Sequence, residues 1–335
     1  MTDTLTMTDP RRQPLDMLLR RSDRTDKAVT SFDFSTPIDG SRWFVCPTLT
    51  PLYYTRIYAD LSEDEQRRYN QLTALCFNEL IAFFEGTFAA SVLAALADAR
   101  HRRLSEELAG CLAEFLADEQ QHILWWRQLN RLSAPELYAE SDRSLVRLPA
   151  LAKKMLAAMT SRPDRFPVVF WIMLALEERS LAMSRSCLKM DRGRIEPRYR
   201  LLYQQHLKDE SRHVQMDWHL IERFYANRSH TLRNANAKLL RVMIGRFFLP
   251  PNRSAVRVVK RLVSEHAGLA PRLAEMIQQL KSLGENPDYH EMMYSRTATP
   301  ITFSLFDQFE ELHAMQRVLR SYRPNPREAI GGNHG

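Results

Sequence analysis

Apolar residues recur at helical spacing along most of the chain, beginning near Ser62, where Ser-Glu-Asp-Glu resembles a capping box. Prolines, glycines and polar clusters divide the pattern into predicted helices over about 62–98, 102–131, 148–160, 164–188, 198–225, 232–248, 253–266, 269–283 and 302–321. Four of these would be about 25–35 residues long, against a mean of about 11–12 in globular proteins. No segment alternates convincingly as a strand would. Long consecutive amphipathic helices predict an all-α bundle.

The ends of the chain lack this periodicity. Residues 1–35 are polar and are predicted to be a mobile N-terminal arm, and residues 326–335 a disordered tail. Residues 36–325 would form one domain, entered through an irregular, Pro- and aromatic-rich segment. The longest apolar run, residues 168–176, falls short of the roughly 20 residues of a membrane span, so none is expected.

Charge and cysteine content narrow the function. The net charge of +7 is compatible with nucleic acid or an acidic protein, but no helix-turn-helix, zinc finger or basic-aromatic array is present, so nucleic acid is not expected as a partner. The four Cys match no zinc spacing and are interpreted as reduced thiols. The chain starts without the apolar core of a signal peptide, and a cytoplasmic location is expected.

Two segments of predicted helices share one pattern: residues 118–122 read Asp-Glu-Gln-Gln-His and residues 209–213 read Asp-Glu-Ser-Arg-His. Positions i and i+3 lie on one helix face, so the Glu and the His of each segment can bind one metal ion. The preceding Asp could accept a ring N–H from a His of its own helix or of a neighbour. The candidate ligands are Glu119, His122, Glu210 and His213, with Asp118 and Asp209 as their hydrogen-bond acceptors. A third Glu-x-x-His, Glu310 to His313, lacks the Asp and is interpreted as surface or cap chemistry.

Each of these two helices follows a helix that carries a Glu in apolar surroundings. The first is Glu85; the second is Glu178 or its neighbour Glu177. We prefer Glu178, because Trp171, Leu174 and Ala175 continue its face as an apolar stripe. Four helices that each present a carboxylate inward, two of them adding a His, form a carboxylate-bridged two-metal site. Oxygen-rich ligands with imidazoles suit iron, with manganese as a possible substitute.

His206 is a further candidate ligand. It lies four residues before Glu210 and seven before His213, so the three side chains share a helix face. An ordinary two-metal bundle does not need this third imidazole.

The motifs together resemble the p-aminobenzoate N-oxygenase family over roughly residues 60–225. The resemblance rests on Asp-Glu-x-x-His at 118–122, on His-x-x-x-Asp-Glu-x-x-His at 206–213, and on Asn78-Glu79 ahead of Glu85. It implies a ferritin-like four-helix bundle, here with additional C-terminal helices, and two iron ions that use O₂ to oxidise an amine. The family's seven ligands would fall on Glu85, Glu119, His122, Glu178 (or Glu177), His206, Glu210 and His213.

These observations predict an O₂-dependent N-oxygenase that converts an amine to a hydroxylamine, nitroso or nitro product, in natural-product or antibiotic biosynthesis. Electrons would come from a separate reductase, because no flavin or nicotinamide motif is present. A di-iron C–H hydroxylase or desaturase is the alternative, and an iron-storage protein a more distant one. The substrate would be a small amine or an aminoacyl group on an acidic carrier protein, and a homodimer is possible. The carrier would dock on the basic residues Lys238, Arg241, Arg246, Arg253, Arg257, Lys260 and Arg261.

Overall fold

The computed structural model describes residues 11–24, 34–98, 104–249 and 253–325. Within these ranges the chain is α-helical, with short 3₁₀ and π-helical turns and no strand; a single bridge joins Trp43 and Ile195. The helices are α1 (Leu15–Arg24), α2 (Arg56–Ala59), α3 (Glu63–Phe83), α4 (Ala90–Ala97), α5 (Glu106–Ser133), α6 (Ala150–Thr160), α7 (Val168–Leu188), α8 (Pro197–Ile221), α9 (His230–Met243), α10 (Arg253–Glu265), α11 (Leu273–Ser282), α12 (Pro287–Met293) and α13 (Pro300–Asp307).

Two helix pairs form the central bundle. The helix α3, continued by α4, packs against α5, and α7 packs against α8 over most of its length. Contacts between α5 and α8 join the two pairs. The C-terminal helices surround this core: α10 packs on α3, and α9 and α13 pack on α7. The prediction of an all-α, ferritin-like bundle with additional C-terminal helices is confirmed.

Local capping explains where the bundle helices begin. The predicted capping box is present, since the backbone N–H of Glu65 donates to Ser62 Oγ and the N–H of Ser62 donates to Glu65 Oε2. Ser105 caps α5 in the same way through the N–H of Leu108. Glu196 accepts from two backbone N–H groups at the start of α8.

A π-helical turn, Phe84–Ala89, separates α3 from α4. Such wide turns inside a helix are frequent at functional sites, and this one carries Glu85. The neighbouring Gly86 lets α5 come close, because a Cβ at this position would lie 3.0 Å from Ile123 Cδ1. By length and composition alone the stretch Glu63–Ala97 could span a membrane. In this fold it is a bundle segment that packs on α5 and buries Glu85, whose Oε1 lies 3.0 Å from Nε2 of His206 on α8.

Part of the predicted N-terminal arm is ordered. Leu15, Leu18 and Leu19 follow a short helical period that the surrounding polar residues obscure, and α1 packs on α5 with Leu18 fully buried. Residues 1–10, 25–33 and the predicted tail 326–335 lie outside the described residues. The helix predicted over 302–321 is also divided: α13 ends at Asp307, the backbone of Phe309 is extended, and a 3₁₀ helix follows.

Candidate metal centre

Carboxylates and imidazoles from the four bundle helices meet in two adjoining groups. Within each group the potential ligand atoms all lie within 4.8 Å of one another. One group is Glu85, His122, His206 and Glu210; the other is Glu119, Glu177, Glu210 and His213. Every one of these side chains is buried. Glu210 belongs to both groups, which is the arrangement of a bridging carboxylate.

The two oxygens of Glu210 face different groups. Its Oε1 lies 2.9 Å from His206 Nε2 and 3.4 Å from His122 Nδ1. Its Oε2 lies 3.2 Å from His213 Nδ1. His206 Nε2 also lies 3.0 Å from Glu85 Oε1. The structure therefore places the third imidazole, His206, inside the cluster and on the same side as Glu85.

The structure places Glu177, and not the preferred Glu178, beside the other candidate ligands. Glu178 Oε1 accepts the backbone N–H of Ile301 at 2.7 Å, and its Oε2 accepts that of Thr302 at 2.8 Å, so this carboxylate caps the start of α13. The alternative, Glu177, lies in the second group. Consecutive helical residues point about 100° apart. Glu178 therefore faces α13, while Glu177 faces the cluster. Burial raises the pKa of Glu178 to about 7, although the two N–H donors oppose that rise.

Each Asp of the repeated motif contacts the His of the other motif. His213 Nε2 donates to Asp118 Oδ2 at 3.2 Å, and His122 Nε2 donates to Asp209 Oδ2 at 3.1 Å. Residue numbers rise on α5 as they fall on α8, as antiparallel packing requires. Of the two possibilities left open by the sequence, the acceptor belongs to the neighbouring helix. Because an ionised carboxylate only accepts, these bonds fix each ring with Nδ1 toward the centre.

Electrostatics inside the cluster favour a cation. Burial and neighbouring carboxylates raise the pKa values of Glu119 and Glu177 well above the ordinary range. Burial has the same tendency at Glu210, but the imidazoles of His206 and His213 outweigh it and lower the pKa. Burial opposes the charge of His206, yet Glu210 and Glu85 raise its pKa to about 10. Several acids in one dry site are costly unless a positive charge compensates them.

The unsatisfied polar atoms of these residues also fit a metal site. Both carboxylate oxygens of Glu119, Glu85 Oε2 and His122 Nδ1 are buried and lack a hydrogen-bond partner among the described residues. Buried polar atoms normally have hydrogen-bond partners, so unsatisfied oxygens and a nitrogen within these two groups indicate metal ligands. The donors are oxygen and imidazole nitrogen with no thiolate, which suits iron or manganese.

Other residues singled out in the sequence lie outside both groups. The Glu79 carboxylate accepts the Tyr138 hydroxyl and the backbone N–H groups of residues 144–146, so it anchors the segment after α5. His313 Nε2 lies 3.2 Å from the backbone oxygen of Asp307. The sequence interpretation missed Arg212, whose buried guanidinium contacts Asp118 and Asp209. Its only sequence signal is a basic residue within an otherwise acidic motif.

Comparison with known proteins also indicates a metal centre in this bundle. A family model described as p-aminobenzoate N-oxygenase AurF matches residues 8–293, which is most of the chain and includes every residue of the two groups. No curated protein matches the chain. Enzymes of the matched family are non-haem di-iron oxygenases that act on an amine with O₂. The sequence, the helical bundle and the buried cluster agree with that match, and this chain belongs to the p-aminobenzoate N-oxygenase AurF family.

Proposed function

We propose that the two groups hold one iron ion each, with Glu210 as the bridge between them. The observation that carries this assignment is the set of buried, unpartnered carboxylate oxygens at the centre of the bundle. The proposed ligands are Glu85, Glu119, His122, Glu177, His206, Glu210 and His213. The two aspartates, Asp118 and Asp209, orient His213 and His122 from outside the cluster.

The chain's own residues position and insulate this chemistry. A pair of reduced irons held here would supply electrons for the reduction of O₂. The overall change would convert an amine, O₂, two electrons and two protons to a hydroxylamine and water, and further cycles would give nitroso and nitro products. Four buried glutamates balance the charge of the metal ions. Trp126 lies edge-on to the ring of His206, with 5.1 Å between ring centroids, and Phe115 stacks on His213 at 3.9 Å, so both imidazoles are shielded from water.

We further propose that the substrate is a p-aminobenzoate-type amine, either free or presented by an acidic carrier protein. Family membership supports amine oxidation over the C–H hydroxylase, desaturase and iron-storage alternatives. For the carrier, support comes from the exposed basic residues Lys238, Arg246, Arg253 and Lys260. Two other members of that basic segment have internal roles, since Arg257 donates to the backbone of Leu145 and Arg261 pairs with Glu265. A separate reductase, a homodimer, a role in natural-product biosynthesis and a cytoplasmic location stay predictions from the sequence.

Product analysis tests this function. Reduced, iron-loaded protein given ¹⁸O₂ and p-aminobenzoate, or the same amine bound to a carrier, should yield a product with labelled oxygen on nitrogen, measured by mass spectrometry. The matched control is Glu210→Ala, which should give none. Label found only on carbon would support the hydroxylase alternative and overturn N-oxygenation.

The third imidazole has a separate expected effect. His206→Ala should retain most of its iron, because six proposed ligands remain, but amine oxidation should fall by at least about tenfold, the lower range for losing a metal's supporting group. The exposed His230→Ala is the matched control and should change stability by no more than about 0.5 kcal/mol. Iron analysis and product yield measure both effects. Wild-type yield from His206→Ala would remove His206 from the ligand set.

A further inference from the structure

A buried arginine, Arg212, contacts the aspartates of both Asp-Glu-x-x-His motifs. Arg212 Nη2 lies 2.7 Å from Asp118 Oδ2 and 3.0 Å from Asp209 Oδ1. These are the two aspartates that accept the Nε2–H of His213 and His122. Arg212 is 5% exposed, so water does not screen these contacts strongly.

We propose that Arg212 is a positioning residue that couples the two metal positions. It holds both aspartates at once and, through them, fixes His122 in the first group and His213 in the second. This inference rests on the proposed ligand set but goes beyond it, because Arg212 reaches neither group of potential ligands directly.

The two motifs differ at this position, so only the motif on α8 supplies a cation. Arg212 precedes His213, and the matching residue before His122 is Gln121. The pattern is otherwise repeated, with Asp, Glu and His at the same spacing. One arginine therefore contacts the aspartates of both motifs, whereas Gln121, at the matching position on α5, contributes no charge. Gln205 Nε2 also contacts Asp209, at 3.3 Å, but a neutral amide does not replace the cation.

Charge balance gives the reason for a cation here. Two divalent ions leave the four glutamates of the two groups and the two aspartates, taken together, with excess negative charge. Without Arg212 the two aspartates would repel each other and the glutamates, and would turn toward solvent. Asp118 has the freedom to do so, since its side chain is 22% exposed. His122 and His213 would then lose the acceptors that set their orientation. A guanidinium suits this place because its planar fork presents several donors in fixed directions.

The proposal predicts a defect shared by both metal positions. In Arg212→Met, both binding steps for Mn²⁺ should weaken by about 10–100-fold, the usual effect of removing an outer partner of a ligand. Arg212→Lys, which keeps the charge but loses the fork, should weaken both steps by a smaller factor. Asp118→Asn should weaken chiefly the position of His213. Gln121→Met is the matched control and should leave both steps unchanged.

The test is Mn²⁺ titration of the full-length protein, followed by electron paramagnetic resonance, which distinguishes single ions from spin-coupled pairs. The two steps should weaken together in whichever arginine variant folds, as judged by circular dichroism. Adding Arg212→Met to the pair Asp118→Asn and Asp209→Asn should cause little further loss, because Arg212 acts through those residues. Unchanged binding, or weakening of one step alone, in the arginine variants would overturn the proposal. Wild-type protein that binds a Mn²⁺ pair but never oxidises an amine would overturn the proposed function and not this inference; wild-type protein that binds no pair would overturn both.

Discussion

Glu210→Ala is expected to remove both metal ions, the largest effect of any single substitution in this chain. Its two oxygens face different groups, so its loss opens both positions at once. Removing an outer partner of a ligand typically lowers metal affinity by about 10–100-fold, and the loss of Glu210 should lower it further. Amine oxidation should be abolished with the metal.

Metal analysis after dialysis measures this effect, and thermal unfolding supplies a second readout. Metal that binds only the folded state stabilises the wild type, by about 2.7 kcal/mol at a concentration 100 times the Kd. Glu210→Ala should lose this increment. Ser211→Ala, at the exposed neighbouring position, is the matched control and should keep it. Two tightly bound irons in Glu210→Ala would contradict the bridging assignment.

The sequence was sufficient for the features that depend on local periodicity. The repeated Asp-Glu-x-x-His identifies which helices face the centre, because residues three apart share a helix face whatever surrounds them. The capping box at Ser62 is equally local, and it is observed. His206 follows the same logic, since it lies one turn before Glu210, and the structure places it in the cluster.

Features that depend on packing between helices were beyond the sequence. The aspartates pair across α5 and α8, and a motif within one helix contains no information about the register of another. Arg212 gains its role only through that register. The π-helical turn at Phe84–Ala89 interrupts no hydrophobic pattern, so the sequence predicted one continuous helix over 62–98.

The choice between Glu177 and Glu178 depends on the same kind of information and leads to the second prediction of large effect. Both residues are buried on α7, and apolar residues precede both at helical spacing. What separates them is α13, whose first backbone N–H groups require an acceptor and find Glu178. Substituting Glu178 should therefore affect stability, whereas substituting Glu177 should affect metal binding.

Glu178→Gln should destabilise the metal-free protein and leave metal binding intact. The amide has one acceptor oxygen in place of two, so one of the N–H groups of Ile301 and Thr302 loses its bond. Above its pKa of about 7 the Glu178 carboxylate is charged. Hydrogen bonds to charged groups contribute about 1.5–3 kcal/mol each, so a loss in this range is expected above that pH. Chelator-treated protein unfolded by urea gives the difference in the free energy of unfolding.

Glu177→Gln should do the reverse. Burial and repulsion from Glu210 and Glu119 raise the pKa of Glu177, so an ionised carboxylate at this position opposes folding when no metal is present. The neutral amide removes that repulsion, and the metal-free variant should be at least as stable as the wild type. Metal binding should weaken at the position that Glu177 shares with Glu119 and His213. Each variant is thus the matched control of the other, because both change one buried carboxylate to an amide on the same turn of α7. Loss of metal from Glu178→Gln, with full occupancy in Glu177→Gln, would restore Glu178 as the ligand and show that capping α13 is not its principal role.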